Sequence, residues 1–317
     1  MSTKTLKVKV TDRQMHTPDI VVLALATADG TELPAFEAGA HLDVQLGEDL
    51  SRQYSLCNDP AERNHYRLGV LKDPASRGGS VAVHNLLQPG TEVLISEPRN
   101  QFPLHGEAKH SLLCGGGIGI TPMIAMAYSL KRAGSSFELH YSMRSLSTAA
   151  FLDELKNQFG DQLVLHPDDD PNARFDPKRL IEQAPKDTHL YVCGPGGYMD
   201  WVMAQAKAAG LDDSALHYEY FNAEVDLSGG AFEVVAQSSG VTVQVEDGQS
   251  IADALKAAGI KVDVSCEQGV CGTCICDVIE GTPDHKDHFL TEEEKEDNDQ
   301  MAICCSRALS ERLVLDI

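Results

Sequence analysis

Four cysteines could carry the chemistry of this chain: Cys266, Cys271, Cys274 and Cys304. The first three stand in Cys266-Glu-Gln-Gly-Val-Cys271-Gly-Thr-Cys274, a Cys-x4-Cys-x2-Cys string, and 29 residues separate Cys274 from Cys304. That is the plant-type spacing by which four thiolates hold a two-iron, two-sulfide cluster. Three ligands on one loop wrap a cluster only if the loop folds back tightly, and Gly269 and Gly272 supply the backbone freedom. The fourth thiolate must arrive from a separate strand or turn. Cys276 and Cys305 compete for the assignment. A strand opening at Cys274 puts Cys276 on the same face, whereas Cys305 breaks the spacing by one, so Cys304 is the expected ligand. Inert buried thiols are a second reading and a zinc site a third, although zinc favours paired Cys-x2-Cys knuckles and one pair is present. A cluster that changes charge by one electron makes electron transfer the expected chemistry.

Two upstream constellations could supply the electrons. Arg52-Gln-Tyr54-Ser55 follows an expected strand, and Arg77-Gly78-Gly79-Ser80 comes about one hairpin later. An arginine offers a forked donor to a phosphate, and Gly-Gly-Ser offers close amides and a hydroxyl. Tyr54 can lie beside a planar cofactor while Ser55 bonds to its edge. Singly, each is more often a surface strand or a turn. The second constellation is Cys114-Gly-Gly-Gly-Ile-Gly-Ile-Thr-Pro-Met123, a glycine-rich turn between a strand and a helix, which can cradle a pyrophosphate. It departs from the dinucleotide fingerprint where Ile120 replaces the last glycine. Cys193-Gly-Pro195 ends a later strand of the same sheet.

These residues need three modules to hold them. Residues 1–105 carry short runs, Leu6–Val10, Ile20–Leu25, His41–Leu46, Tyr66–Val70 and Glu92–Ser96, broken by Gly and Pro, as in a β-barrel. Glu97 to Pro103 reads as the exit loop. Residues 106–222 alternate strands at His110–Cys114, Phe137–Tyr141, Leu163–His166 and His189–Cys193 with helices, the first capped by Thr121 and ending at Gly134, as in a parallel α/β nucleotide-binding domain. Residues 223–230 read as a linker, and residues 231–317 as a small β-grasp ferredoxin domain. There Phe232–Gln237 and Val241–Val245 form a hairpin, and Ser250 caps a helix that Gly259 ends.

Net charge is −22, from 48 acidic and 26 basic residues, which argues against nucleic acid as a partner. The run Thr291-Glu-Glu-Glu-Lys-Glu-Asp-Asn-Asp, between the third and fourth ligands, reads as a solvated surface element or as a docking patch for a basic acceptor. No apolar run approaches membrane-spanning length. Met1 to Val10 lacks the apolar stretch of a signal peptide, and nine cysteines, an odd number, fit a reducing compartment. The cytoplasm is the expected location.

In the order of these motifs, over essentially its whole length, the chain resembles the phthalate dioxygenase reductase family, and within it the reductase subunits of aromatic demethylases. Arg52-Gln-Tyr-Ser-Leu-Cys-Asn58, Gly78-Gly-Ser80, Gly115–Pro122, Cys193-Gly-Pro195 and the four cluster cysteines carry the resemblance. It implies FMN, held at its phosphate by Arg52, Gly78, Gly79 and Ser80, with Tyr54 and Ser55 against the ring. It implies NADH, rather than NADPH bound at Arg144, received by Gly116, Gly117 and Thr121. Cys193 would lie near the nicotinamide, with Glu219 and Phe221 closing the flavin pocket. The implied activity passes electrons from NADH through FMN and the 2Fe-2S cluster to the Rieske centre of a separate oxygenase, by a reductase that is itself a monomer. A haem or diiron monooxygenase as acceptor, and a non-enzymatic electron carrier or redox sensor, are the alternatives. Hydride transfer needs no general acid or base, so none of the twelve histidines is assigned a catalytic role.

Overall fold

The computed structural model describes residues 4–48, 50–222 and 225–317. They form two compact units, Met1–Phe221 and Asn222–Ile317.

The first unit opens with a barrel. Its elements are β1 (Thr5–Thr17), β2 (Ile20–Ala26), β3 (Ala40–Gln45), β4 (Ser51–Ser55), β5 (Tyr66–Leu71), α1 (Gly79–Leu86), β6 (Glu92–Ser96) and β7 (Arg99–Asn100). The sheet runs β4-β3-β6-β1-β2-β5, with β7 added on β3. An antiparallel bridge between Leu56, just past β4, and Leu68 on β5 brings the two ends together and curls the sheet into a barrel. Alternating apolar residues such as Val8, Val10, Leu23, Leu25, Leu42 and Val44 fill the interior. Two details differ from the sequence reading. Ser51 to Ser55 is itself a strand, paired residue for residue with β3. Gly79 opens a helix rather than a simple turn, because Val83 and His84 bury against the barrel and the His84 ring bonds the Val70 carbonyl at 3.0 Å.

The same unit continues as β8 (His110–Gly116), α2 (Ile120–Ala133), β9 (Ser136–Met143), α3 (Leu152–Phe159), β10 (Leu163–Pro167), α4 (Pro177–Gln183), β11 (Thr188–Cys193), α5 (Gly196–Ala208) and β12 (Leu216–Glu219). All five strands are parallel, in the order β10-β9-β8-β11-β12. Every residue of β8 is buried, as expected of a parallel strand covered on both faces. Helix α2 begins earlier than a cap at Thr121 implies: Gly119, not Thr121, is its N-cap, and the Thr121 hydroxyl donates back to the Ile118 carbonyl at 3.0 Å. The glycine run lets the chain turn helical as soon as the strand ends.

The second unit holds β13 (Phe232–Ala236), β14 (Val241–Val245), α6 (Ile251–Ala257), β15 (Ile275–Glu280), β16 (Pro283–Asp284), α7 (Glu292–Asp297), β17 (Gln300–Ala302), β18 (Arg307–Ala308) and β19 (Arg312–Leu315). Its main sheet runs β14-β13-β19-β15-β17, with β13 and β19 parallel at the centre. Ser250 caps α6 by accepting from the Asp253 amide at 3.0 Å. The acidic run is α7, opened by a reciprocal capping box between Thr291 and Glu294. Of the expected linker, residues 223 and 224 lie outside the described residues. Among the described residues no helix is long and apolar enough to cross a membrane.

Candidate functional site

Strand β4 carries Arg52 toward the start of α1. Its guanidinium donates to the Arg77 carbonyl at 3.2 Å and to the Ser51 carbonyl at 2.7 Å. The side chain runs so close over Gly79 that a Cβ there would fall 2.3 Å from Arg52 Cγ. Gly78 precedes the helix at φ 92°. The Ser80 hydroxyl stands in the first turn, 3.1 Å from the Asp73 amide that donates to it and 3.0 Å from Ser76 Oγ. A forked cation, bare glycine amides and a helix N-terminus thus meet, and this donor set fits a phosphate.

At the other end of β4 the groups change character. Tyr54 is half-buried and its phenol is pushed above the usual range by burial. Ser55 donates to Glu219 Oε2 at 3.3 Å. Glu219 ends β12, in register with Cys193 at the end of β11, and Phe221 packs against the core just beyond. The structure therefore brings Tyr54, Ser55, Cys193, Glu219 and Phe221 into one region. Burial pushes the Glu219 carboxyl up to about 8, against the Ser55 bond that lowers it. Burial likewise pushes the Cys193 thiol up.

One residue here escaped the sequence reading. His41 on β3 lies opposite Ser55 in the ladder, 3% exposed, with Nδ1 3.9 Å from Glu219 Oε1. Neither ring nitrogen has a hydrogen-bond partner. Burial, with Arg99 adding to it and Asp43 opposing, lowers the imidazole to about 4. The two groups are both mainly neutral at pH 7, so their approach is not a salt bridge. Its sequence signal was the two-residue alternation of β3, which puts His41 and Asp43 on one face. An orphaned buried imidazole beside a protonated carboxyl fits the polar edge of a ring system.

The glycine-rich turn lies at the carboxyl end of β8, beside that of β11. A Cβ on Gly119 would fall 2.3 Å from the Cys193 carbonyl oxygen, and one on Gly116 would fall 2.8 Å from the Tyr198 ring. Gly117, at φ 55°, meets nothing within 4 Å. The turn is thus packed on one side by the Cys193-Gly-Pro195 loop and open on the other, at the edge where open α/β sheets bind ligands. Thr121 is buried in the first turn of α2. Arg144, exposed just after β9, shares this edge with Asp168, whose amide donates to the Met143 carbonyl at 2.8 Å.

In the second unit, Cys266, Cys271, Cys274 and Cys304 are all buried. The loop 266–274 turns through positive φ at Glu267, Gly269 and Gly272. A Cβ on Gly272 would fall 2.3 Å from the Phe289 ring. The Cys266 thiol, not part of a disulfide, lies within hydrogen-bond reach of the Cys271 and Cys304 thiols and accepts from the Gln268 amide at 3.3 Å. Cys304 comes from beyond β17. Cys305 is buried with its Sγ 2.4 Å from where a Gly269 Cβ would stand, and Cys276 sits half-buried on β15 opposite Met301. Crowding by Cys266, with burial, pushes the Cys271 thiol up. Such thiols ionise together only when a metal centre takes their charge. Among the described residues no three ligating side chains are set for a single metal ion. Four buried thiols with a donating amide fit the larger iron–sulfur cluster.

Residues 234–309 match the model of the 2Fe-2S iron-sulfur cluster binding domain. A vanillate O-demethylase oxidoreductase of Pseudomonas sp. (strain HR199 / DSM 7063) is 50% identical over 98% of this chain and all of its own length. The crystal structure of an intact type IV self-sufficient cytochrome P450 monooxygenase is 38% identical with a TM-score of 0.86, over 99% of this chain and 41% of that one. The structure of phthalate dioxygenase reductase, described as modular for electron transfer from pyridine nucleotides to [2Fe-2S], is 37% identical with a TM-score of 0.77, over 99% of this chain and 98% of that one. With likeness along its whole length and a cluster domain in the same place, the chain belongs to the phthalate dioxygenase reductase family of oxidoreductases, which work with NAD(H), a flavin and a 2Fe-2S cluster.

Proposed function

We propose that this chain is the reductase component of an aromatic-ring oxygenase or demethylase, taking electrons from NADH and delivering them singly to a Rieske-type oxygenase. The observation that carries the reading is the Ser55–Glu219 bond, which joins the end of a barrel strand to the end of a nucleotide-domain strand. The likeness to the vanillate O-demethylase oxidoreductase supports the class of partner.

Bound FMN and cluster supply the redox chemistry, two electrons entering together and leaving one at a time. The chain's own residues position and insulate. Arg52, Gly78, Gly79 and Ser80 hold the phosphate, and Tyr54 covers the ring. Ser55 and His41 face its polar edge, and Glu219 holds a proton at its carboxyl there. Cys193 and Phe221 are apolar fill that keeps water from the hydride path. Gly116, Gly117 and Thr121 receive the dinucleotide. Asp168, Asp169 and Asp170 are exposed on the segment that the Asp168 amide ties to the Met143 carbonyl, next to Arg144, and their negative charge opposes a 2′-phosphate, which favours NADH. Cys266, Cys271, Cys274 and Cys304 hold the cluster. The acidic helix α7 offers a docking charge to a basic acceptor. The protein works as a monomer in the cytoplasm.

An anaerobic NADH titration, followed by absorption and electron paramagnetic resonance, tests the reading. Flavin bleaching with a reduced plant-type cluster signal is the expected result, and no bleaching overturns it. The likeness to a self-sufficient P450 favours a haem acceptor as the second reading. Comparing reduction rates of a Rieske oxygenase and a haem monooxygenase separates the two.

A further inference from the structure

Arg307 is the largest fully buried side chain among the described residues, at 2% exposed. Backbone carbonyls satisfy its guanidinium: it donates to Gln249 at 2.7 Å, Gly230 at 2.9 Å, Glu246 at 3.3 Å and Gly229 at 3.4 Å. The Phe232 ring lies 5.1 Å beneath it. Burying a guanidinium is costly unless it is fully bonded, so the bonds it makes here are fixed ones. They tie Gly229 and Gly230 to the turn that follows β14.

The rest of the segment before β13 is tied to the same unit. The Gly229 amide donates to Asp247 Oδ1 at 2.9 Å, and the Gly248 amide to the Leu227 carbonyl at 3.1 Å. Lys286 stands 3.8 Å from Asp226, and Val225 packs against the unit's core. Gly229 is at φ 143°, and a Cβ on it would come within 3.2 Å of Arg307 Nε. Val225 to Gly230 is a strap on the second unit, although its composition reads as a free linker.

We propose that Arg307 is a positioning residue for electron delivery, shortening the covalent tether between flavin unit and cluster unit by anchoring this strap. With the strap held, the span from Phe221 to Val225 is at most about 14 Å of chain. With it released, the tether runs on to Ala231, about 35 Å. With the held tether already long enough to span the two sites, further length lowers effective concentration as about its three-halves power, so release slows flavin-to-cluster transfer roughly fourfold.

The test is stopped-flow mixing of the holoenzyme with NADH, reading flavin bleaching and cluster reduction separately, alongside hydrogen exchange at Gly229 and Gly248. Arg307→Lys keeps the charge but not the fork that reaches four carbonyls. It should bleach its flavin at the parent rate, reduce its cluster severalfold more slowly and lose protection at both amides. A six-residue Gly-Ser insertion after Asn222, as long as the strap, leaves Arg307 intact and should slow cluster reduction alike. It decides the matter if Arg307→Lys fails to retain its cluster. Parent-rate cluster reduction in the insertion variant, or undiminished protection in Arg307→Lys, overturns the proposal. Absence of flavin bleaching in the parent itself would instead overturn the reductase reading.

Discussion

Ser55 and Glu219 are 164 residues apart in sequence and 3.3 Å apart in space, the hydroxyl donating to the carboxyl. Each is the last residue of its strand, one in the barrel and one in the parallel sheet. Strand ends are where backbone pairing stops and side chains become available to ligands. The bond therefore joins the barrel to the parallel sheet at the ends of two strands, with His41 and Cys193 beside it.

Four titratable groups of the first unit, Glu219 and His41 here with His166 on β10 and His217 on β12 outside that contact, set a pH profile for stability. Burial raises folded Glu219 from 4.5 to about 8, so stability from this group is highest below pH 4.5 and falls as pH rises through about 8. His41, His166 and His217 run the other way. Burial lowers each from 6.5 to about 4, so their contribution is complete above 6.5 and lost as pH falls through about 4. Between 4.5 and 6.5 three imidazoles outweigh one carboxyl, and above 6.5 these imidazoles no longer titrate against it. The flavin-free protein should melt highest near pH 6.5, and Glu219→Gln should hold its Tm from there to pH 8 while the parent's falls. A parent Tm that stays level over that interval refutes the assignment.

Arg52→Ala removes the fork from the phosphate cradle. A hydrogen bond to a charged group contributes about 1.5–3 kcal/mol, so FMN should be retained roughly ten- to a hundredfold less tightly. Flavin fluorescence in an ultrafiltrate measures the loss. The cluster absorption should not change, because its ligands lie in the other unit. Unchanged flavin content would remove Arg52 from the phosphate.

Cys266, Cys271 and Cys274 were legible in the sequence because a cluster imposes fixed ligand chemistry on one short loop, and Cys304 was legible from its spacing behind them. The barrel strands were legible from alternation, and β6 begins and ends where the pattern places it. Helix α1 was not, since eight residues opened by glycine show too little period to separate a helix from a turn. His41 and Ser55 meet through strand register, and Glu219 joins them through tertiary packing that no local pattern encodes. Val225 to Gly230 misled for a related reason. Small polar residues and glycines read as a linker whatever buried side chain grips their carbonyls.

Coenzyme choice should respond to the exposed aspartates that follow β10, on the edge they share with Arg144. Asp168 and Asp169 are exposed, and the Asp168 amide is bonded to the Met143 carbonyl, one residue before Arg144. Replacing both aspartates with serine removes two negative charges from the edge while leaving the arginine. The kcat/KM for NADPH should rise about tenfold, equivalent to about 1.4 kcal/mol, with little change for NADH. Equal effects on both coenzymes would place the aspartates away from the 2′-position.

The adjacent Cys304 and Cys305 give the sharpest test of the cluster site. The Cys304 thiol lies within hydrogen-bond reach of Cys266 and of Cys305, whereas Cys305 packs under the ligand loop against Gly269. Cys304→Ser should lose most of its iron, and Cys305→Ser should keep it. Gly269→Ala should also lose iron, for two separable reasons. Its φ of 70° is left-handed, and its Cβ would fall 2.4 Å from Cys305 Sγ. Adding Cys305→Ala relieves the contact with the sulfur but neither the tight approach to Asp287 Cα and Cβ at 3.0 Å nor the backbone cost of about 1–2 kcal/mol. The double variant should therefore recover part of the iron, measured per protein with the cluster absorption. Full recovery would mean that neither the backbone strain nor the approach to Asp287 matters, and no recovery would mean that the Cys305 sulfur is not the contact that costs the iron.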